Sequence, residues 1–173
     1  MVEYSYLSFL RIKYLLCINK IINIIQNKLL MTKMLKIQQP DDLISLSLYN
    51  IFNYRINDKK FVKSVTDWNK KIVLYVEPFY PVTVIFQGSE ITFEIGEDPN
   101  ADLKVKIHLN NMLDIAFGRL APTAAIDQKK MEIQGLEKDP KIMPKFFNIF
   151  VTSMTMVAAD PQLHYYEIKE NAR

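Results

Sequence analysis

The chain has 173 residues, of which 49% are hydrophobic and 12% aromatic, and its formal net charge is +3. This length suits one domain with a sizeable core. The single cysteine excludes a disulfide framework within the monomer and fits a reducing cytoplasm, where we expect the protein. Residues 1–36 hold 6 of the 22 basic and 1 of the 19 acidic residues. The rest of the chain has 16 basic and 18 acidic residues, and this slightly acidic balance argues against nucleic-acid binding.

Residues 1–36 form a basic, apolar N-terminal extension. Its charges interrupt the run of about 18 to 20 apolar residues that a membrane-spanning helix requires, and it lacks the cleavage site of a signal peptide. Three interpretations remain open. The extension is an amphipathic helix on a membrane surface, a helix packed on the domain, or a segment upstream of the true start at Met31 or Met34.

Two helices are predicted next. The sequence Pro40-Asp41-Asp42 is typical of a helix start, and apolar residues follow it at helical spacing: Ile44, Leu48, Ile51 and Phe52. A second helix is predicted after Asp58, with four residues on one face: Phe61, Val65, Trp68 and Ile72. Both helices are expected to cover the core.

From Ile72 onward the pattern changes to short β-rich runs: IVLYV, VTVIF, ITFEIG and ADLKVKIHL. Their short connections predict an antiparallel meander, because parallel crossovers usually need a dozen or more residues. In the last run the apolar residues alternate with Lys104, Lys106 and His108, which predicts one buried and one wet face.

The helical pattern returns after Asn111, with one apolar face: Met112, Ile115, Ala116 and Leu120. Pro122 follows, and Thr123 is the expected cap of a short helical piece, AAIDQKK. MEIQG reads as a fifth strand. A last helix begins near Asp139-Pro140 and Pro144, and residues 160–173 form a polar tail.

Reactive groups are sparse. Cys17 lies in the N-terminal extension, His164 lies in the tail, and His108 is expected on the wet side of its strand. Asp114 and Asp127 have no identifiable catalytic partner. The four glycines form no phosphate loop. The sequence therefore predicts no enzyme activity, no metal site and no cofactor.

Residues 118–135, GRLAPTAAIDQKKMEIQG, resemble the signature of the sterol carrier protein family, a sterol-transfer or lipid-binding domain. The family pattern is Gly-Lys-Leu-Asn-Pro, then Gln-x-Ala-Phe-Met, then Gly-Lys-Leu-x-Ile-x-Gly. Seven positions match without a gap: Gly118, Leu120, Pro122, Ala125, Lys130, Ile133 and Gly135. Ile126 replaces the aromatic residue, Lys129 replaces a glycine, and Asp127 replaces an apolar residue, where its charge would narrow a pocket or mark its mouth.

The resemblance implies an α+β domain over residues 37–159, with a five-stranded, mainly antiparallel sheet. Helices on one face would enclose an apolar tunnel for a fatty acyl chain, sterol or isoprenoid. Methionines, which are common at adaptable binding surfaces, are frequent in this half of the chain. We expect thirteen residues to line or close the tunnel: Phe86, Phe93, Leu109, Met112, Ile115, Ala116, Leu120, Ile126, Met131, Ile133, Phe147, Phe150 and Met154. The last helix is the expected gate.

Three functions follow as hypotheses. The first is non-enzymatic binding and carriage of a hydrophobic ligand, with transient contact to a membrane surface. The second is an accessory protein that presents an isoprenoid or quinone-like intermediate to biosynthetic enzymes. The third is an enzyme module that acts on a bound acyl compound. The sequence does not determine the oligomeric state.

Overall fold

Six strands and five helices make up the part of the chain that the computed structural model describes, residues 34–161. The strands are β1 (Lys36–Ile37), β2 (Lys70–Glu77), β3 (Pro81–Gln87), β4 (Glu90–Ile95), β5 (Leu103–His108) and β6 (Met131–Gln134). The helices are α1 (Leu43–Asn53), α2 (Lys59–Val65), α3 (Leu109–Ala116), α4 (Pro122–Asp127) and α5 (Ile142–Ala158). Segments 1–33 and 162–173 lie outside the described residues, so the interpretations of the extension and of most of the tail stay predictions.

The α+β class is confirmed, but the prediction of a five-stranded, mainly antiparallel sheet is wrong. The strand order is β1-β4-β3-β2-β5-β6, and the sheet is mixed. β2, β3 and β4 form the expected antiparallel meander, whereas β5 pairs parallel with β2 and β1 pairs parallel with β4. The two-residue β1 is too short to leave a periodic signal in the sequence.

A seven-residue crossover, residues 96–102, makes the parallel pairing of β5 feasible. β4 ends at Ile95, level with Leu74 across the meander, and β5 begins level with Ile72. The chain must therefore travel across three strand spacings of about 4.8 Å each but hardly back along the sheet. Seven extended residues reach at most about 25 Å, which is sufficient.

Thr83 holds this crossover against the sheet. Its buried hydroxyl donates to the carbonyl of Gly96 at 2.9 Å and accepts from the amide of Asp98 at 3.2 Å. The Asp98 carboxylate accepts from Lys71 Nζ at 2.6 Å, which holds the pKa of Asp98 below its usual range. A polar side chain within a central strand thus fixes a connection that leaves the meander.

The predicted helix starts at α1 and α2 are confirmed, because an aspartate caps each one. Asp42 accepts from the amide of Ser45 at 2.9 Å, and Asp58 accepts from the amide of Lys60 at 2.8 Å. The predicted length of α2 is wrong. Thr66 leaves the helical conformation and Asp67 has a φ of 65°, so the apolar residues beyond them belong to a turn and to β2.

Two other local predictions need correction. Thr123 does not cap α4, since Pro122 is the first helical residue and Ala121 the N-cap; proline suits this position because it lacks the amide that would go unpaired. Leu120 does not extend the face of α3, because that helix ends at Ala116 and Gly118 follows with a φ of 70°.

The apolar face of the sheet packs against the helices, and the core has two parts. One is an aromatic cluster in which Phe52 contacts Phe61, Phe86, Phe93 and Phe150, with ring centroids 6.0–6.4 Å apart. The other lies between β2, β5 and β6 and the helices α3 to α5, where Met and aliphatic side chains predominate. Within residues 34–161, no helix combines the length and apolarity needed to cross a bilayer.

Candidate hydrophobic site

An apolar cavity lies between the sheet and helices α3, α4 and α5. Every side chain around it is hydrophobic, so it offers no hydrogen bond to a ligand. The lining comes from three strands and three helices: Leu74, Val105, Ile107, Met112, Ile115, Pro122, Met131, Phe147, Phe150, Val151 and Met154. Four of these keep partial solvent exposure and mark where the cavity comes nearest to the surface: Met112, Pro122, Phe147 and Val151.

The cavity is small. The space open to the centre of a water molecule is about 10 Å³, which is roughly the minimum that one water requires. In the residues that the structure describes, the space between the sheet and helices α3, α4 and α5 therefore forms no open tunnel, contrary to the sequence expectation. The physical reason is that the Phe and Met side chains of α5 and the Met side chains of α3 and β6 fill the space themselves.

Six of the thirteen predicted site residues lie together around this cavity: Met112, Ile115, Met131, Phe147, Phe150 and Met154. The other seven lie elsewhere. Phe86 and Phe93 belong to the aromatic cluster. Five more pack into or against the core without lining the cavity: Leu109, Ala116, Leu120, Ile126 and Ile133. Whether any of the thirteen touches a ligand stays a prediction.

Sequence reasoning missed five of the lining residues: Leu74, Val105, Ile107, Pro122 and Val151. Val105 and Ile107 carried a usable signal, since they alternate with Lys104, Lys106 and His108 and thus face the helices, whereas Leu74 lies in the continuous apolar run IVLYV, which shows no alternation. Val151 falls one turn after Phe147 on α5, so helical spacing would also have found it. Pro122 gave no signal, because its place at the cavity depends on where α4 begins.

Two residues of the stretch that resembles the family signature, Pro122 and Met131, line the cavity, and its two glycines lie in turns. Gly118 and Gly135 both have positive φ values, 70° and 99°. A Cβ atom at Gly135 would lie 2.5 Å from the backbone oxygen of Asp102, so only glycine fits there. Lys129, which stands where the family has glycine, keeps the left-handed conformation with a φ of 55°. The turn between α4 and β6 is thus retained at some cost in backbone strain.

A second space is an open groove at the start of α1. Its volume is about 380 Å³, and it is lined by Gln38, Gln39, Pro40, Asp41, Asp42, Phe93 and Ile95. Much of this lining is polar. Asp42 already caps α1 and accepts from the Tyr80 hydroxyl at 2.8 Å. The groove is larger than the cavity, but it is open to solvent and has a mixed lining, so it suits a hydrocarbon chain less well.

The candidate reactive groups stand apart from the cavity. His108 is exposed, and its Nδ1 accepts from the amide of Asn110 at 3.2 Å as the cap of α3. Asp114 accepts from Arg119 Nε at 2.8 Å, and Asp127 is exposed at the end of α4. Cys17 and His164 lie outside the described residues. Among residues 34–161, no three His, Cys, Asp or Glu side chains gather closely enough to hold a metal ion.

The sequence model of the SCP-2 sterol transfer family matches residues 51–150. The chain belongs to this family. The match covers more than half of the chain and contains nine of the eleven lining residues; the other two, Val151 and Met154, follow on the same helix. The resemblance drawn from residues 118–135 is thereby confirmed.

Several solved structures are similar to this chain. The inverting sec-alkylsulfatase Pisa1 from Pseudomonas sp. matches 51% of it at 21% identity with a TM-score of 0.44, and this chain spans only 14% of that enzyme. A ubiquinone synthesis protein, UbiJ-SCP2, matches 66% of this chain and 88% of its own at 17% identity and a TM-score of 0.48. The sterol carrier protein domain 2 of Helicoverpa armigera matches 68% of this chain and 93% of its own at 15% identity and a TM-score of 0.48. No curated protein matches the sequence significantly.

Proposed function

We propose that this domain binds the hydrocarbon chain of a lipid in the space between the sheet and helices α3, α4 and α5. The observation that carries the proposal is the wholly apolar lining of the cavity within a member of the SCP-2 sterol transfer family. A lining without polar groups favours a ligand whose buried part is pure hydrocarbon and whose polar end stays outside. Each methylene so buried contributes about 0.8 kcal/mol before the cost of association.

Binding requires the cavity to expand, because about 10 Å³ cannot hold a chain. Three of the lining side chains are methionines, Met112, Met131 and Met154. Methionine is unbranched and has several rotatable bonds, so it can repack around a guest at low cost. We infer that these side chains fill the space in the absence of a ligand and move aside when one enters.

Helices α3 and α4 are better suited to move than α5, the gate expected from sequence. α5 is tied to α1 and to the connection that follows it: the rings of Phe52 and Phe150 lie 6.1 Å apart, and Arg55 Nη1 donates to Ser153 Oγ at 3.4 Å. The side-chain hydrogen bonds named for α3 and α4 stay within the segment that runs from α3 to the turn after α4. Arg119 bonds to Asp114, and Asn111 donates to the carbonyl of Lys130. Both helices are also short, at 8 and 6 residues.

The test is saturable binding of fluorescent fatty acids of increasing length to the delipidated full chain. We expect affinity to rise about fourfold for each methylene, the equivalent of about 0.8 kcal/mol, until the chain outgrows the site. Val151→Asp places a charge at the cavity mouth and should weaken binding strongly. Val157→Asp is the matched control, on the same helix and partly exposed but outside the lining. Absence of saturable binding at every length would overturn the proposal.

Presentation of an isoprenoid or quinone-like intermediate to enzymes remains the alternative. The UbiJ-SCP2 structure is named as a ubiquinone synthesis protein, but its similarity to this chain is too low to carry an argument. Unaided transfer of lipid between vesicles would favour the carrier, whereas ligand release only in the presence of a partner enzyme would favour the alternative. For the enzyme hypothesis we expect no turnover, because neither His108 nor Asp127 lines the cavity.

A further inference from the structure

The outer side of α3 exposes two large apolar side chains that the core does not use. Leu113 is 39% exposed, and Phe117, which caps the helix, is 48% exposed. They are four residues apart and so lie one above the other on the same face. Met112 and Ile115 of the same helix face the cavity. The segment that covers the cavity therefore presents apolar groups on both sides.

One cation contacts this apolar pair, and two more lie across α3, in the turn that Asn111 contacts. The guanidinium carbon of Arg119 lies 5.0 Å from the centre of the Phe117 ring, and its Nε also binds Asp114. Lys129 and Lys130 are exposed in the turn after α4, and Asn111 of α3 joins this turn by donating to the carbonyl of Lys130 at 3.3 Å. The acids nearby in the chain are Asp127, Asp114, which pairs with Arg119, and Glu132, which lies opposite Lys106 and interacts with it. The patch thus combines apolar anchors with a small excess of positive charge.

Its size and chemistry favour a lipid bilayer over a protein partner. Two side chains exposed to this extent offer on the order of 150 Å² of apolar surface. A stable protein interface buries roughly 800 Å² on each partner and needs a complementary shape. A fluid bilayer needs no such shape, and it accepts apolar anchors among the acyl chains while cations meet anionic headgroups.

We propose that the outer side of α3 is the surface by which this domain contacts a lipid bilayer. Leu113 and Phe117 insert, and Arg119, Lys129 and Lys130 lie at the level of the headgroups. The inference goes beyond the proposed function, since the contact does not require an occupied cavity. If both hold, α3 and α4 open on the side that faces the membrane.

The test uses the full chain with vesicles of phosphatidylcholine, with or without phosphatidylserine. Leu113→Ser combined with Phe117→Ser should lower the vesicle partition coefficient about tenfold or more. Leu43→Ser combined with Ile95→Ser is the matched control, since both are more exposed and lie elsewhere; it should leave partition unchanged. Equal losses from both pairs, or none from the first, would overturn the proposal.

A position-specific measurement separates this surface from any contribution of residues 1–33. The variant Phe117→Trp should show quenching by brominated phosphatidylcholine, whereas Trp68, which is buried, provides an unquenched reference in the wild type. Ile95→Trp should remain unquenched. Without vesicles, a blue shift in the emission of the Phe117→Trp variant that grows with protein concentration would indicate self-association through this face and refute the bilayer as its occupant.

Discussion

Truncation of Met154 tests both the packing and the proposed ligand space. Met154 is buried on α5 and lines the cavity. Met154→Ala removes the Cγ, Sδ and Cε atoms and vacates roughly 60 Å³, which costs roughly 1.5 kcal/mol at about 24 cal/mol per Å³. The lost transfer free energy of three such groups adds roughly 2.4 kcal/mol. We therefore expect the free energy of unfolding to fall by about 4 kcal/mol, measured by urea denaturation.

The same change should improve ligand binding. The new void joins the existing space, and a methylene occupies about as much room as the roughly 30 Å³ of a water molecule in the liquid. About two methylenes then enter without displacing protein atoms, which corresponds to roughly 4- to 15-fold tighter binding of a fatty acid at about 0.8 kcal/mol each. Fluorescence titration of the delipidated variant measures this gain.

Ile149→Ala is the matched control for Met154→Ala. Ile149 is equally buried on the same helix but does not line the cavity. It should lose a similar amount of stability and gain no affinity. If both variants lose stability alike and neither binds fatty acid more tightly, the space between sheet and helices is not the ligand site, and the reasoning fails.

Three further predictions concern the turns and one ion pair. Gly135→Ala should lower the free energy of unfolding by at least about 2 kcal/mol. Gly88→Ala, where φ is positive but the surrounding space is open, should lower it by about 1 kcal/mol. Equal losses would contradict the close approach of Gly135 to the backbone of Asp102. Lys129→Gly should raise stability by about 1 kcal/mol by relieving the left-handed conformation, and a loss would contradict it. The hydrogen bond from Arg55 holds the pKa of Asp58 below its usual range. The ionised carboxylate of Asp58 therefore stabilises the folded state fully above its unfolded pKa of about 3.9. This contribution to the free energy of unfolding is lost as pH falls through the folded pKa. Between about pH 6 and about pH 3 the wild type should lose stability more steeply than Asp58→Asn, which keeps the cap; parallel curves would refute this.

Local signals in the sequence predict most of the elements. Short β-rich runs locate β2 to β4, alternation locates β5 and β6, and the aspartates at positions 42 and 58 mark where two helices begin. Strand pairing depends on residues that are distant in sequence, which explains why the sequence analysis predicted β5 as part of an antiparallel meander. The parallel pairing of β5 with β2 requires the crossover that Thr83 and Asp98 hold. No local pattern reports such a connection.

The candidate site is predicted only in part for a similar reason. Helical spacing identifies the side chains of α3 and α5 that face inward, including Met112, Ile115 and Phe150. It does not reveal whether those side chains leave space between them or fill it, because cavity volume depends on rotamers and on the separation of elements. Apolar character alone suggests Phe86 and Phe93 as site residues. In the structure both rings pack against Phe52 in the aromatic cluster and do not line the cavity.

The wholly apolar lining of the cavity affects how a bound lipid would be released. None of the eleven side chains around the cavity gains or loses a proton near neutrality. A fall in pH would therefore leave the contacts between the cavity lining and a bound alkyl chain unchanged. This differs from a site that senses pH through a buried histidine. Release would then depend on factors other than the lining, such as a competing apolar environment for the alkyl chain or the displacement of α3 and α4.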